Sequence, residues 1–487
     1  MKKVLCALLA CVFANISQAQ WQPDLRLTND PGWSTTSFNN AWCVASSGDF
    51  VHVIWSDDRD GSKEIFYKRS TDGGSSWQAD EQLTNTNASM DFPSIAAYGS
   101  DVYAVWFDNR DFNKDIYFKH SSDNGLTWDA DVQLTTDAAQ SVYPSLSVYE
   151  SLVNVVWGEG RDGNWEIYYK RSTNKGITWD PDTRLTNNSS DSFNPSVSVT
   201  GSNVNVVWYD FRNGNGEIYY KRSSDSGVNW EPDIRLTNNS GSSIAPSISV
   251  SNSYVHIVWY DDSDGNFKIY YVRSTDTGIN WDQDTCITYS LNFSYIPSIT
   301  VSGSAVHVVW ASGDPPLNRE IYYKRSTDEG ASWEQEIRLT NATAESWHPS
   351  VSITDSILHV VWRDGRDGNY EIYYKRNTNA NISAVEDDQT YIPRHFSLEQ
   401  NYPNPFNPST KIKYSIPFVE THRDASLLVT LKVYDVLGNE IETLVNEEKP
   451  AGNYEITWNA VNLPSGVYFY QLKAGDFIKT KKMILLK

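Results

Sequence analysis

Four cysteines and three methionines are few for 487 residues. Two of the cysteines, Cys6 and Cys11, fall in the opening apolar stretch. Only Cys43 and Cys286 remain beyond it, far apart in the chain, so a disulfide framework is not indicated and core thiols are expected. Past Phe13 no run approaches the ~20 apolar residues that span a bilayer as a helix. Basic residues are scarce as well: residues 20–393 hold 27 Lys/Arg against 51 Asp/Glu, a net charge of −24. Such a surface repels phosphate backbones and anionic lipid, which argues against nucleic acid as a partner.

What is abundant is aromatic, with 19 Trp and 29 Tyr. Aromatic and β-branched residues suit pleated, half-buried surfaces, so an all-β protein is expected. The first residues, MKKVLCALLACVFANISQAQ, combine two lysines, an apolar run and a small-x-small ending at Ser17 and Ala19. That pattern predicts a secretory signal peptide over residues 1–19, cut after Ala19. A rival reading takes Leu8–Cys11 as a lipoprotein cleavage box, but it leaves a very short apolar run and a leucine where a smaller residue is usual.

Tryptophan marks a repeat. Trp55, Trp106, Trp157, Trp208, Trp259, Trp310 and Trp362 each end an apolar run, at intervals of 51 residues and finally 52, and a run like EIYYKRS follows each. The unit reads as four short strands joined by Gly, Asn and Asp turns. Seven such units predict a seven-bladed β-propeller over residues 20–380. The segment WQPDLRLTN from Trp21 matches only the tail of a unit, and the last unit stops short of that tail. An N-terminal strand completing the seventh blade accounts for both facts and removes the open sheet edges.

Between the third and fourth strands recurs Ser-x-Asp-x-Gly-x-x-Trp, with Asp72, Asp123, Asn174, Asp225, Asp276 and Asp328 at the acidic position. This stretch resembles the Asp-box of the sialidase superfamily. A side chain here can accept hydrogen bonds from the turn, glycine supplies the awkward dihedral, and tryptophan is expected to cover the hairpin. Six copies argue for a structural role, because an active site in a ring must be unique. Arg59, Arg110, Arg161, Arg212 and Arg366 recur four residues after the strand tryptophan. A calcium loop needs six or more spaced oxygen ligands, so an Arg–carboxylate pair between blades is the expectation there. His52, His256, His307 and His359 recur three residues before the tryptophan. Strands of different blades are too far apart to share a metal, and packing between blades is expected; no cofactor is implied.

Function is sought where the copies disagree. The innermost strand of each unit begins at a Pro-Ser pair near the expected central funnel, and the two residues before it vary: Asp91-Phe92, Val142-Tyr143, Phe193-Asn194, Ile244-Ala245, Tyr295-Ile296 and Trp347-His348, with Asn40-Ala41 in the first unit. Aromatics around a concave mouth could stack on sugar rings or clamp a peptide, with Asn194 and His348 as polar partners, or could simply plug the funnel. An insertion carrying Trp33 and Phe38 and an altered turn, ASGDPPLNRE, open on the same side. The predicted site is therefore Trp33, Asp91, Phe92, Tyr143, Phe193, Asn194, Tyr295, Trp347 and His348.

Residues 381–396 read as a linker and 397–487 as a small Ig-like β-sandwich. That segment looks like the C-terminal sorting domain of the type IX secretion system through Asn401–Pro408 (NYPNPFNP), Tyr434-Asp435 with Gly438, Leu463–Tyr468 and the lysine-rich end. The resemblance implies contact with that machinery and export to the medium or outer surface of a Gram-negative bacterium. The sialidase resemblance implies three arginines, the first two residues before a framework proline, with a tyrosine–glutamate pair and an aspartate. No arginine occupies that position here. A general glycosidase needs two carboxylates about 5–10 Å apart, and only Asp91 is found among the mouth residues. The expectation is a non-catalytic binder of glycan or cell-surface protein. A sialidase-like hydrolase or lyase is the first alternative and a structural matrix protein the second.

Overall fold

The structure is a computed structural model describing residues 21–37, 42–86, 88–288, 292–313, 318–380, 396–398, 400–416, 427–449, 452–475 and 477–487. The predicted signal peptide, residues 381–395 of the expected linker, Phe38, Asn40, Ala41 and residues 314–317 of the altered turn lie outside the described residues. The described residues are all-β and fall into two compact units.

The larger unit contains seven antiparallel sheets, and the fourth shows their plan. Its strands are Ser192–Thr200, Asn203–Asp210, Glu217–Ser223 and Ile234–Arg235, hydrogen-bonded in that order. The first strands of neighbouring sheets touch in a closed cycle, the seventh against the first, which is the arrangement of a β-propeller. In the seventh sheet the outer position is filled by Leu25–Arg26, paired with Tyr374 and Tyr373. Asp24 accepts from Arg366 and forms an ion pair with Lys375, both at 2.8 Å, and so pins this strand electrostatically as well.

The strand tryptophans are buried to 0–1% exposure and stack on the third-strand aromatic of their own sheet, as Trp208 does on Tyr219 at 6.1 Å. The histidines complete the same layer. His52 Nδ1 lies 2.6 Å from Tyr67 Oη, and His256, His307 and His359 pair with Tyr271, Tyr323 and Tyr374. These hydrogen bonds lie within one sheet, and the four imidazoles are buried to 0–1% exposure. The arginine turns differ from the expected pairing between blades. Arg212 bonds Asp210 at 2.6 Å and Asp233 at 2.8 Å, both in its own sheet, while stacking on Tyr219 at 4.2 Å.

Sheets are joined at the Asp-box. Asp72 Oδ1 accepts from Ser76 N at 2.8 Å and from Ser70 Oγ at 2.8 Å, so the carboxylate holds its own turn. Asn174 does the same through Oδ1 to Thr178 N at 2.9 Å. The box tryptophan, expected over its hairpin, instead meets the third-strand aromatic of the preceding sheet edge-on. Trp128 lies 5.1 Å from Tyr67 and Trp281 4.8 Å from Tyr220. The box glycine is what allows this approach: a Cβ at Gly227, where φ is +82°, would stand 2.0 Å from Tyr169 Oη.

The smaller unit has two sheets around one core. One holds Ser397–Leu398, Ser409–Ile416 and Gly452–Asn459, the other Glu440–Lys449, Leu427–Tyr434, Gly466–Ala474 and Phe477–Leu485. Alternation along Leu427–Tyr434 sends Val429, Leu431 and Val433 inward. Cys43 and Cys286 are free thiols, and burial pushes the former up to about 11.

Two outcomes follow. Gly227→Ala combines a left-handed backbone with a steric clash at the seam, and is expected to lower unfolding free energy by about 2–4 kcal/mol in urea denaturation. Hydrogen bonds from the Ser76 side chain and backbone hold Asp72 at about 2, below its ordinary 3.8. The backbone and side-chain amides of Asn229 and Asn280 do the same for Asp225 and Asp276. Folded values below unfolded ones stabilise above pH 3.8, and this contribution is lost as pH falls toward about 2. Thermal midpoints measured across that window should fall accordingly. Asp276→Asn, which installs the residue found at position 174, should keep the neutral midpoint and remove its own share of the acid loss.

Candidate functional site

The mouth of the larger unit is built by a bulge. In six sheets the first strand slips register just before its proline, as between Asp91 and Ser94, because proline has no N–H for the ladder. The preceding residue adopts a left-handed backbone: φ is +53° at Phe92, +56° at Tyr143, +46° at Asn194, +50° at Ala245 and Ile296, and +51° at His348. Non-glycine residues adopt this region at a cost of about 1–2 kcal/mol each. The bulge splits the expected pairs into two circles.

Residues just before proline form the inner circle. Phe92 is buried, with its ring 5.3 Å from Phe107 and 5.0 Å from the half-buried Tyr143. Asn194 is half-buried. His348 is only 5% exposed, and burial, then the charges of Arg363 and Arg319, hold its imidazole well below the ordinary 6.5. Thr36 Oγ1 donates to the His348 carbonyl at 2.8 Å, and Ser37 Oγ to the Pro93 carbonyl at 2.6 Å.

The residues one place earlier form the outer circle and, apart from the buried Val142, are half-buried. Asp91 accepts from Lys63 Nζ at 2.5 Å and from Ser56 Oγ at 2.8 Å. Phe193 contacts Trp165, Tyr209 and Phe211 at 5.8–6.3 Å. Tyr295 packs on Trp347 at 5.5 Å, with Tyr260 and Phe267 on its other sides. Burial pushes the Tyr260 hydroxyl up to about 12. Trp33, 55% exposed, meets Tyr370 edge-on at 5.5 Å. In the first sheet Thr35 stands opposite Ser56 in the register that Asp91 holds opposite Phe107, so Thr35 takes the mouth position assigned from sequence to Asn40. The insertion divides that first strand into Ser34–Thr35 and Val44–Ser47.

Two further positions per sheet reach the mouth and were missed in the sequence. One follows the strand tryptophan and pairs with the outer circle: Tyr209 lies opposite Phe193 and Arg363 opposite Trp347. The other immediately precedes the third strand and contacts the next sheet's outer residue. It supplies Lys63 to Asp91, Trp165 to Phe193, Phe267 to Tyr295 and Arg319 to Trp347. Both positions vary among copies, so the test of disagreement that found the outer circle would have found them too.

The mouth is consequently two-sided. Sheets three to six contribute an aromatic arc, and sheets six, seven, one and two a charged one. The Arg319 guanidinium lies 4.4 Å over Trp347 and bonds Glu345 at 2.5 Å. Arg363 lies 4.6 Å over Tyr370, and burial lowers its pKa, with Arg319 adding repulsion against the attraction of Tyr370, Glu345 and Asp91. Tyr370 Oη donates to Glu345 Oε2 at 3.5 Å. Among the described residues no group of three His, Cys, Asp or Glu side chains is placed to hold a metal.

In the smaller unit, Asn401 is buried and donates through Nδ2 to Thr410 Oγ1 at 3.0 Å and to the Pro403 carbonyl at 3.1 Å. Asn404 Oδ1 accepts from Ile484 N at 2.9 Å, and Phe406 is buried with its N–H on the Ile484 carbonyl at 3.0 Å. The Asn-Pro-rich stretch thus ties the start of this unit to its last strand. Residues 400–486 match the family described as secretion system C-terminal sorting domain. They are a type IX sorting domain. A chain that carries it is addressed to secretion or the outer cell surface. No helix among the described residues is long and apolar enough to cross a membrane.

No curated protein matches the chain. Among solved structures, the polysaccharide lyase Uly1 is similar with a TM-score of 0.52 and 8% identity, covering 74% of this chain and 100% of that one. The Trypanosoma rangeli sialidase gives 0.44 and 11%, covering 83% and 85%. The α-L-arabinofuranosidase Arb93a from Fusarium graminearum gives 0.42 and 15%, covering 58% and 91%. At these identities the likeness concerns fold alone.

Losing a buried, doubly bonded amide costs about 1–3 kcal/mol. Asn401→Ala is therefore expected to destabilise the sorting domain and leave protein inside the producing cell, measured by immunoblotting cell and medium fractions.

Proposed function

We propose that residues 20–380 form a seven-bladed Asp-box propeller that binds a glycan at its mouth without transforming it. In this reading residues 1–19 are a signal peptide cleaved after Ala19. The Ig-like domain from 397 carries the protein across the outer membrane of a Gram-negative bacterium.

The observation that carries the proposal is the distribution of sequence variation on the fold. The framework repeats almost residue for residue, while the outer mouth concentrates Trp165, Phe193, Tyr295 and Trp347 beside Lys63, Arg319 and Arg363. Flat aromatic faces next to fixed cations and hydroxyls suit sugar rings, which present apolar faces and polar edges together. Asp91, Tyr143 and Asn194 supply further polar contacts, and His348 supports the circle from below. A protein surface ligand would use the same aromatics but would gain less from the half-buried Arg363 guanidinium.

A second reading rests on one contact. Tyr370 donates to Glu345 beside Arg319 and Arg363, with Asp91 near enough to act on Arg363. These are the residue types that a sialidase-like hydrolase employs, at other positions of the repeat.

One experiment separates the two. The secreted protein is applied to a glycan array and, in parallel, incubated with each bound glycan in solution. Binding is expected, with losses of about tenfold or more for Trp347→Ala and Arg363→Ala and a smaller loss for Tyr143→Ala. Wild-type affinity in both Trp347→Ala and Arg363→Ala sinks the mouth as the binding site. Release of sugar that stops in Tyr370→Phe establishes the catalytic reading instead.

A further inference from the structure

Position 112 breaks the repeat in a way that the fold itself does not use. The turn between the second and third strands carries glycine at 61, 163, 214, 265 and 368, with φ from +87° to +99°. A Cβ at any of these five glycines would meet nothing within 4 Å, so the position looks into open space. In the second sheet it is Phe112, at φ +63° and 104% exposed. The phenylalanine adopts a backbone that disfavours it and leaves a full ring in water, two costs that glycine avoids. Nothing among the described residues repays them.

The ring stands between two troughs. Toward the first sheet a cavity of about 810 Å³ is bordered by Ser62, Lys63, Thr86, Ser89 and Asn109. Toward the third, one of about 690 Å³ is bordered by Asn113, Gln140, Asn164, Trp165 and Asp191. Among the described residues that border them, the only bulky apolar groups are the rings of Phe112 and Trp165. Around these stand amides, hydroxyls, small residues and a few charges, with no aliphatic pocket of the kind a peptide side chain would fill. Each trough has one bordering residue in contact with the outer circle: Lys63 bonds Asp91, and Trp165 lies against Phe193.

We propose that the ligand is an extended polysaccharide whose chain runs from the mouth across the rim of the second sheet, with Phe112 as an outlying platform on which a sugar ring stacks. This deepens the glycan reading above and rests on it. Exposure of the ring is then the condition of its use, since each sugar seated there replaces water on an otherwise unshielded face.

The test uses the secreted protein with alginate, chondroitin sulfate, xylan and laminarin, each as polymer and as disaccharide. For whichever polymer binds, Phe112→Gly should weaken affinity about three- to tenfold. Its melting temperature should equal or exceed that of the wild type, because five other copies carry glycine there. Phe112→Leu should lose as much as Phe112→Gly, since an apolar group without a flat face cannot stack, and Phe112→Trp should bind like the wild type. Inhibition by the matching disaccharide, which occupies the mouth alone, should be unchanged in all three variants. Wild-type polymer affinity in Phe112→Gly or Phe112→Leu overturns the platform while leaving the mouth intact. Failure of the wild type to bind any of these saccharides overturns the glycan reading and the platform with it.

Discussion

The edge-on contact between a third-strand aromatic and the box tryptophan of the next sheet is the constraint on which the larger unit depends. It occurs around the whole ring at 4.8–5.1 Å. Six of the tryptophans come from Asp-boxes. The seventh is Trp21, which reaches Tyr323 at 5.0 Å and so serves the sheet that lacks a box of its own. A neighbouring arginine completes the seam by donating to a backbone carbonyl of the adjoining turn, as Arg222 does to Thr277 at 2.8 Å. The carboxylate in the box holds the turn that presents glycine and tryptophan to that neighbour. Its acidity is a consequence of this task and points to no chemistry of its own.

Because the seams repeat, the residues taking part in them are held close to a common identity, with Phe118 for tyrosine, His120 for arginine and Asn174 for aspartate as departures, and most variation is left to positions outside them. Those positions gather at one end of the ring. There the first strands slip past proline and hold aromatic, amide and imidazole residues at positive φ. Six strained residues in one circle cost together about what a small domain has to spare. The seams on the opposite side supply the rigidity that keeps the circle in place. A stiff ring with an irregular mouth is a physical arrangement in which the ligand surface can change without disturbing the fold.

Much of the architecture was legible because it is periodic. Tryptophan spacing marked the units, and the unmatched tail at Trp21 marked the closure that Leu25–Arg26 makes with Tyr374 and Tyr373. The asparagine-rich start of the sorting domain was legible as a motif, and the structure adds that Asn401 and Asn404 fasten one end of the domain to the other. Contacts between units were read less well. The arginine turns were assigned to ion pairs between blades, whereas Arg212 finds Asp210 and Asp233 inside its own sheet. The period shows that two residues are equivalent, but it carries no information about which sheet each one faces.

The mouth shows the same division. Disagreement among copies pointed to Asp91, Phe193, Tyr295 and Trp347 from the sequence alone, since local alternation and the Pro-Ser marker place them at a strand start. Arg319 and Arg363 lie 28 and 16 residues from Trp347 along the chain, and only strand pairing and the turn of the ring bring them to it. The first sheet is the clearest case: equal spacing chose Asn40, and backbone register chose Thr35. Sequence determined the unit, its number and its framework, because these follow from short-range patterning and repetition. Tertiary structure decided which side chains share the mouth, because that depends on register and closure, which act between residues that patterning cannot connect.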